Sequence, residues 1–383
     1  MSRTSDSNSQ ADRKRPVSGE LSAVPAQASP RRSPGFWSQA WSQFRQRKLA
    51  MTALCVVGLL ALVALLAPAI AGTRPVVCRY KGQLYFPCLY YFNPAWENPV
   101  FAKDRFRQRY PKSLPEKDPQ SWAIWPLVFQ DPYRRVADNE WEGRPGNPAG
   151  MEGTPSRLNL LGTNSEGIDV FAQLVHGTTI ALLVGFVSMG IASLIGITLG
   201  AIAGYVGGWA DLGLSRLIEV VLCIPPLALI LAVLSILEKP TIWHMMAVIG
   251  CTGWTTIARL TRAEFLKLRD ADFVLAARAM GFGWSRIIFR HILPNALAPV
   301  LVPITFGIAS AILTESSLSF LGFGAPPPNP SWGTLLNSAR TNMGMWWLIV
   351  FPGAAIFTAV LCYNLIGEGL QESIDPRLRD AGK

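Results

Sequence analysis

The sequence predicts an all-α integral membrane protein with six transmembrane helices and a long polar insert between the first and the second. Three observations carry that prediction. Half of the 383 residues are hydrophobic and only 16% are charged, a composition unlike that of an ordinary soluble domain. Six segments of about 19 to 29 residues run almost free of charge, the length a helix needs to cross a hydrocarbon core of about 30 Å. None shows the alternating ten-residue pattern of a barrel strand, and lipid offers the backbone no hydrogen-bond partners, so each segment must be helical.

Residues 1–35 form a leader rich in Ser, Pro, Gln and Arg, as in ADRKRPVSGE and AVPAQASPRRSP. Such a composition cannot bury a core, and the leader is expected to be disordered. The unit from residue 36 to 71 opens on FWSQAWSQFRQRK, which supplies interfacial aromatics and positive charge. Its apolar run, Leu49–Ala71, is too long for the core of a signal peptide and begins after 48 residues, so it reads as a retained anchor.

Residues 72–161 make up the insert, with many prolines and aromatics and few aliphatic side chains. Within it, VVCRYKGQLYFPCLYYF alternates apolar and polar residues around Lys81-Gly82, which predicts a short hairpin. Cys78 and Cys88 flank that turn, and two readings stand, a disulfide on an oxidising face or two unpaired thiols. The remaining spans fall at Thr178–Val206, Leu212–Leu237, Thr241–Leu260, Ala296–Thr314 and Trp346–Ile366. They lie in a membrane domain of residues 162–370, followed by a tail of residues 371–383. Cys55, Cys223, Cys251 and Cys362 lie inside spans without close His or Cys neighbours and read as small packing residues, not metal ligands.

A net charge of +10 invites a nucleic-acid reading, but its distribution argues against one. Nine Lys or Arg residues precede the first span and seven lie between Arg259 and Arg290, whereas the loop between the last two spans holds only Arg340. The positive-inside rule then puts both termini and the Arg259–Arg290 loop in the cytoplasm, and the Arg340 loop and the insert outside.

Catalytic signatures are missing. The sequence contains no G-x-x-x-x-G-K-[ST] phosphate loop, no G-x-S-x-G and no H-E-x-x-H, so this chain is not expected to bind ATP or a metal, and transport is favoured over catalysis. Ionisable residues near the spans are few. Asp211, Arg216, Arg259 and Arg262 read as markers of interfacial ends. Glu219 precedes Pro225 and Pro226, which should break the third span and open its carbonyls toward a cavity. Glu315 follows the fifth span, where gating and loop anchoring are both open to it. Glu219, Pro225, Pro226 and Glu315 are therefore the candidates for a translocation path.

One stretch fits no span. DFVLAARAMGFGWSRIIFRHILPN places apolar Phe273, Ala277, Met280, Trp284, Ile287, Ile288 and Ile292 mostly at steps of three or four, broken by Gly281 and Gly283 and ended by Pro294. Two short helices joined by a tight turn follow, suited to docking in a groove or to lying on anionic lipid.

AARAMG followed by RHILPN resembles the cytoplasmic coupling motif of permease subunits in bacterial ABC importers. More narrowly, LGTNSEGIDVFAQLVHGTTIALLVG, GYVGGWADLGLSRLIEVVLCIPPLAL, ESSLSFLGFGAPPPNPSWG and IGEGLQESIDPRLR resemble, in order, the C-type permease of dipeptide and oligopeptide importers. The resemblance is strong over Leu161–Arg379 and weak over Trp41–Ala71. Leu275 stands where many such permeases carry a glutamate, and Asn164 and Ile168 replace a frequent Asp and Arg. The insert is longer than usual, and RYKGQLYFP is similar to a subgroup associated with larger peptides and peptide-like antibiotics.

The resemblance implies an inner-membrane permease that pairs with a second homologous permease, two cytoplasmic ATPase subunits and an extracytoplasmic substrate-binding protein. ATP and Mg would sit on the ATPases, with no cofactor on this chain. Ala276, Ala277, Gly281, Ile292, Leu293 and Pro294 would form the ATPase-coupling element, and the insert would become a periplasmic lobe. Uptake of nickel chelates or peptide antibiotics by the same machinery, and a proton-coupled transporter with Glu219 as carrier, are the alternatives.

Overall fold

In a computed structural model, which describes residues 36–106, 109–148, 153–324 and 329–374, long helices form a bundle and the insert forms a small lobe at one end of the first of them. The leader and most of the expected tail lie outside the described residues. Helix α1 (Phe36–Phe44) buries Ala40 and Phe44 and leaves Trp37 and Trp41 exposed, as an interfacial helix does. Helix α2 (Lys48–Ile70) turns Leu59, Leu62, Leu65 and Leu66 outward.

The hairpin expected around Lys81-Gly82 is present. Strands β1 (Val77–Tyr80) and β2 (Gln83–Tyr85) pair antiparallel across it, with positive φ at both turn residues, 48° and 79°, the conformation that suits the strand twist. After two 3-10 turns come α3 (Pro99–Lys103), α4 (Tyr110–Lys117) and β3 (Trp122–Ile124), which pairs with the other edge of β1. Cys78 and Tyr80 point from one face of this sheet into a core with Phe101, Phe106, Tyr110 and Leu114. Of the two readings for Cys78 and Cys88, the structure has buried free thiols, and the Cys88 Sγ–H donates to the Val76 carbonyl at 3.3 Å.

The bundle continues with α5 (Val170–Val206), α6 (Gly208–Leu222), α7 (Pro226–Ile236) and α8 (Ile242–Leu268). After these come α9 (Asp272–Ala279), α10 (Trp284–Arg286) and a π-helical turn, Ile287–Ile292. Helices α11 (Leu293–Phe320), α12 (Trp332–Thr341) and α13 (Trp347–Ile374) complete it. Among the described residues four helices are long and apolar enough to cross a membrane alone, or five if α6 and α7 count as one span bent by 81°. The expected sixth, α8, carries polar residues along its length; it lies against α5 and buries Thr255 and Thr261, while His244, Thr256 and Arg259 are exposed.

That pairing is tight because α5 presents Gly196, Gly200 and Gly204 at every fourth position. A Cβ on any of the three would fall within 2.6 to 2.8 Å of Ile257, Trp254, Ala258, Thr261, Phe265 or Arg262. Small residues at this spacing let two helix backbones approach closely inside a membrane. The helices also overrun their expected ends. Helix α5 starts at Val170 because Asp169 caps it, its Oδ1 accepting from the Ala172 amide at 2.7 Å. Helix α11 runs five residues past Glu315, and α13 crosses the expected boundary at residue 370. Of the four cysteines read as packing residues only Cys362 is buried; Cys55, Cys223 and Cys251 face outward.

Candidate functional site: a docking knuckle beyond the spans

Helix α9 leaves α8 through a three-residue turn, Arg269 to Ala271, and ends in a Schellman motif. The Gly281 amide donates to the Arg278 carbonyl at 2.9 Å, and the Phe282 amide to the Ala277 carbonyl at 3.2 Å. Such an ending needs one residue in the left-handed region, and Gly281 supplies it with φ at 76°. Space inside the chain is not the reason for this glycine, since a Cβ there would meet nothing within 4 Å. Its backbone conformation is.

The apolar residues of the stretch do not share one face. Val274, Ala277, Ile287, Ile288, Ile292 and Ala296 are buried in a small core with Ala201 and Phe265, where α5 and α8 end. Phe273, Leu275, Met280, Trp284 and Phe289 point away from it, with Met280 64% and Trp284 66% exposed. Of the expected coupling residues, Ala277 and Ile292 therefore lock the element to the bundle, Leu293 is half-buried, and Ala276, Gly281 and Pro294 are exposed. The sequence spacing groups Phe273, Met280 and Trp284 in one apolar series with Ala277 and Ile292; the structure separates them, and the residue that the spacing missed is Val274, buried on α9 beside Ala277.

Cation–ring contacts brace the knuckle. The Arg278 guanidinium lies 5.4 Å from the Tyr205 ring centre, and that of Arg286 4.5 Å from Phe282, whose ring stacks on His291 at 5.9 Å. Asn295 donates through Nδ2 to the His291 carbonyl at 2.7 Å, closing the π turn against Pro294, which has no amide to offer.

The translocation candidates do not come together. Glu219, Pro225 and Pro226 are exposed on α6 and α7, with the helix break between them, and Glu219 accepts from Arg216 at 2.7 Å. Glu315 is fully enclosed inside α11 and accepts from the Ser319 hydroxyl at 2.6 Å. Ser319 in turn accepts from the Ser331 hydroxyl at 3.2 Å, and Ser331 caps α12. These hydrogen bonds tie the return of the α11–α12 loop to Glu315.

Asp211 and Arg262, read as separate interfacial markers, pair with each other across α6 and α8. Asn164 stands in for the frequent aspartate: its Oδ1 accepts from the Glu166 and Ile168 amides at 3.0 and 2.9 Å, shaping the loop before Asp169. Beside that loop an open cavity of about 890 Å³ is lined by Tyr133, Gln173, Glu238, Lys239 and Asn337.

Residues 196–380 match the family described as binding-protein-dependent transport system inner membrane component, and residues 35–82 match the N-terminal TM domain of oligopeptide transport permease C. The chain is 39% identical over 234 residues to the dipeptide transport system permease protein DppC of Alkalihalophilus pseudofirmus, covering 61% of this chain and 77% of that one. It is 34% identical over 340 residues to the inner membrane ABC transporter permease protein YejE of Escherichia coli, covering 88% and 96%. Against the peptidoglycan transport system permease protein YejE of Agrobacterium fabrum it is 30% identical over 357 residues, covering 88% and 92%.

Proposed function

The chain belongs to the family of binding-protein-dependent transport system inner membrane components, and from that premise we propose how it moves its cargo. It is the permease subunit of an ABC importer of the peptide class, an integral inner-membrane protein and not itself an enzyme. ATPase and substrate-binding partners follow from membership of the family.

The finer reading is as follows. Six spans, α2, α5, the bent α6–α7 pair, α8, α11 and α13, form one half of a heterodimer with a second permease. Both termini and the α9–α10 knuckle lie in the cytoplasm, and the insert lies outside. ATP and Mg bind two ATPase subunits, whose closure pushes on the knuckle; the core of Val274, Ala277 and Ile292 passes that push to α5 and α8 as a rigid body, which gives alternating access. Glu219 with Arg216, an exposed ion pair among apolar residues, faces the second permease along the path, since an ionic pair left in lipid would be costly.

One observation carries this reading: exposed Phe273, Met280 and Trp284 stand on a turn locked from behind by fully buried side chains. Large apolar side chains on a rigid support are what a groove on a partner recognises. The names of the relatives divide between dipeptide, peptide and peptidoglycan cargo, and the elongated insert supports a cargo of larger peptides for this chain.

Uptake into vesicles bearing the whole complex, challenged with peptides of graded length, tests the proposal. ATP-dependent accumulation that Trp284→Asp abolishes is the expected result. Accumulation driven by a proton gradient without the ATPase subunits would establish the alternative with Glu219 as carrier.

A further inference from the structure

The exposed face of the insert's sheet has a physical role that the transport cycle does not use. In register across its three strands stand Leu84, Arg79 and Trp122, since Arg79 pairs with Leu84 on one side and Trp122 on the other. Alternation puts Phe86 and Ile124 on the same face. Leu84, Phe86, Trp122 and Ile124 are all 46 to 59% exposed, although the other face of the same strands packs the lobe's core. A contiguous patch of large apolar side chains of this kind marks an interaction surface.

Its position names the occupant. The chain runs from Ile124 directly to the end of α2, where the Leu127 amide donates to the Ala69 carbonyl at 3.1 Å and the Val128 amide to Ile70 at 2.8 Å. Leu127 is therefore level with the last turn of the first span, and it is 84% exposed. Leu65 and Leu66 project outward about one turn below, some 6 Å away along the axis, and three extended residues from Leu127 reach Ile124 within about 10 Å. The lipid-facing leucines of α2 thus continue without a polar break through Leu127 into the sheet. Trp and an Arg among apolar residues are the side chains that sit at the headgroup level, the ring amphipathic and the guanidinium reaching for phosphate. Among the described residues Arg79 pairs with no carboxylate.

We propose that this sheet face lies on the bilayer, with Leu84, Phe86, Trp122 and Ile124 in the headgroup and upper acyl region and Arg79 on lipid phosphate, so that the lobe is held against the membrane beside α2. The insert then acts as a fixed platform and offers its remaining surface to soluble partners.

Spin labels at Leu84→Cys and Trp122→Cys, in the full complex with Cys55, Cys223 and Cys251 replaced by Ala, read this directly in nanodiscs of phosphatidylethanolamine and phosphatidylglycerol. A label at Glu116→Cys on α4, which covers the opposite face of the sheet, serves as the water-exposed control. The expected result is loss of access to a nickel chelate, with oxygen access retained, at positions 84 and 122 but not at 116. Nickel access at 84 and 122 equal to that at 116 overturns the proposal. Shielding that develops only after the substrate-binding protein is added also overturns it, and assigns the face to that protein. Both readouts are independent of transport, so a failure of the peptide-importer reading leaves them interpretable.

Discussion

Arg262 on α8 grips Asp211 on α6 with a two-pronged hydrogen bond, Nε to Oδ1 and the terminal amine to Oδ2, the latter at 2.8 Å. Helix α6 is otherwise poorly anchored, with only Leu214 and Ile218 buried, so this pair fixes the angle at which the broken span leaves the bundle. Both side chains are less than one-third exposed, and a bidentate geometry puts the pair at about 1 kcal/mol. Asp211→Asn and Arg262→Gln should each lower the thermal-inactivation midpoint of the purified complex and reduce substrate-stimulated ATP hydrolysis. The double variant should be no worse than either single one, and additive losses would show that the two act separately.

At Gly281 the expected cost follows backbone sign. A side chain held at positive φ costs about 1–2 kcal/mol, less for Asn than for others and most for a β-branched residue. Gly281→Asn, Gly281→Ala and Gly281→Val should therefore impair substrate-stimulated ATP hydrolysis in that order while membrane insertion stays intact, as followed by protease protection. Equal loss for all three would mean that a partner's need for space at this position, and not φ, sets the requirement.

Legibility in the sequence varied with the kind of force involved. Length and apolarity located α2 within one residue and the starts of α11 and α13 within three, because lipid enforces both, but stopped six and eight residues short of the ends of α11 and α13. The same reading placed a span at Thr241–Leu260, where α8 starts one residue later, but α8 is not among the helices apolar enough to cross alone, and the GxxxGxxxG spacing of Gly196, Gly200 and Gly204 was the available sign that α5 would pack against it. Periodicity found the two short helices around Gly281 but put Phe273, Met280 and Trp284 in one series with Ala277 and Ile292, which the structure buries. A helix of eight residues with apolar side chains on both faces has no unique inward stripe, and only the tertiary core selects Val274 and Ala277. Glu315 was legible as special, with gating and loop anchoring both open, but its partner was not, for Ser331 lies sixteen positions away across a loop and reaches it through Ser319.

The two insert thiols carry a chemical prediction. Burial, with Cys88 adding to it, pushes the Cys78 thiol up to about 12, and burial raises Cys88 as well, so neither supplies thiolate near neutral pH. A maleimide should leave both unmodified in the folded complex and label both after unfolding without reductant. Labelling that requires reductant would reveal a disulfide.

Asp104 gives the lobe an acid limit. Its carboxylate accepts from Lys81 Nζ at 2.8 Å and from the Tyr80 hydroxyl at 2.7 Å, and the Lys81 contact first, then Tyr80, holds it below the usual carboxylate range. A depressed folded-state pKa contributes stability that is present above the unfolded value, near pH 4, and is lost as pH falls through the folded one. Protease resistance of the insert should hold from neutral pH down to about pH 4 and fall below it. Asp104→Asn should be weaker at neutral pH and lose this acid step; an unchanged step would place its origin in another carboxylate.

Leu275 makes the last case. A glutamate at this position in a permease would offer an ATPase a charged contact, whereas Leu275 is 47% exposed and leaves an apolar row with Phe273, Met280 and Trp284. Association through such a row gains by removing apolar surface from water, with one or two large side chains dominating, and truncating a central one costs about 1–2 kcal/mol. Trp284→Ala and Met280→Ala should thus weaken ATPase binding by about tenfold each, with Leu275→Ala weaker in effect and Ala279→Ser nearly silent. High salt should leave the affinity unchanged or raise it, because burial here is not ionic. A marked loss of binding as salt rises, measured on immobilised permease complex, would move the contact from these side chains to Arg278, Arg286 and Arg290.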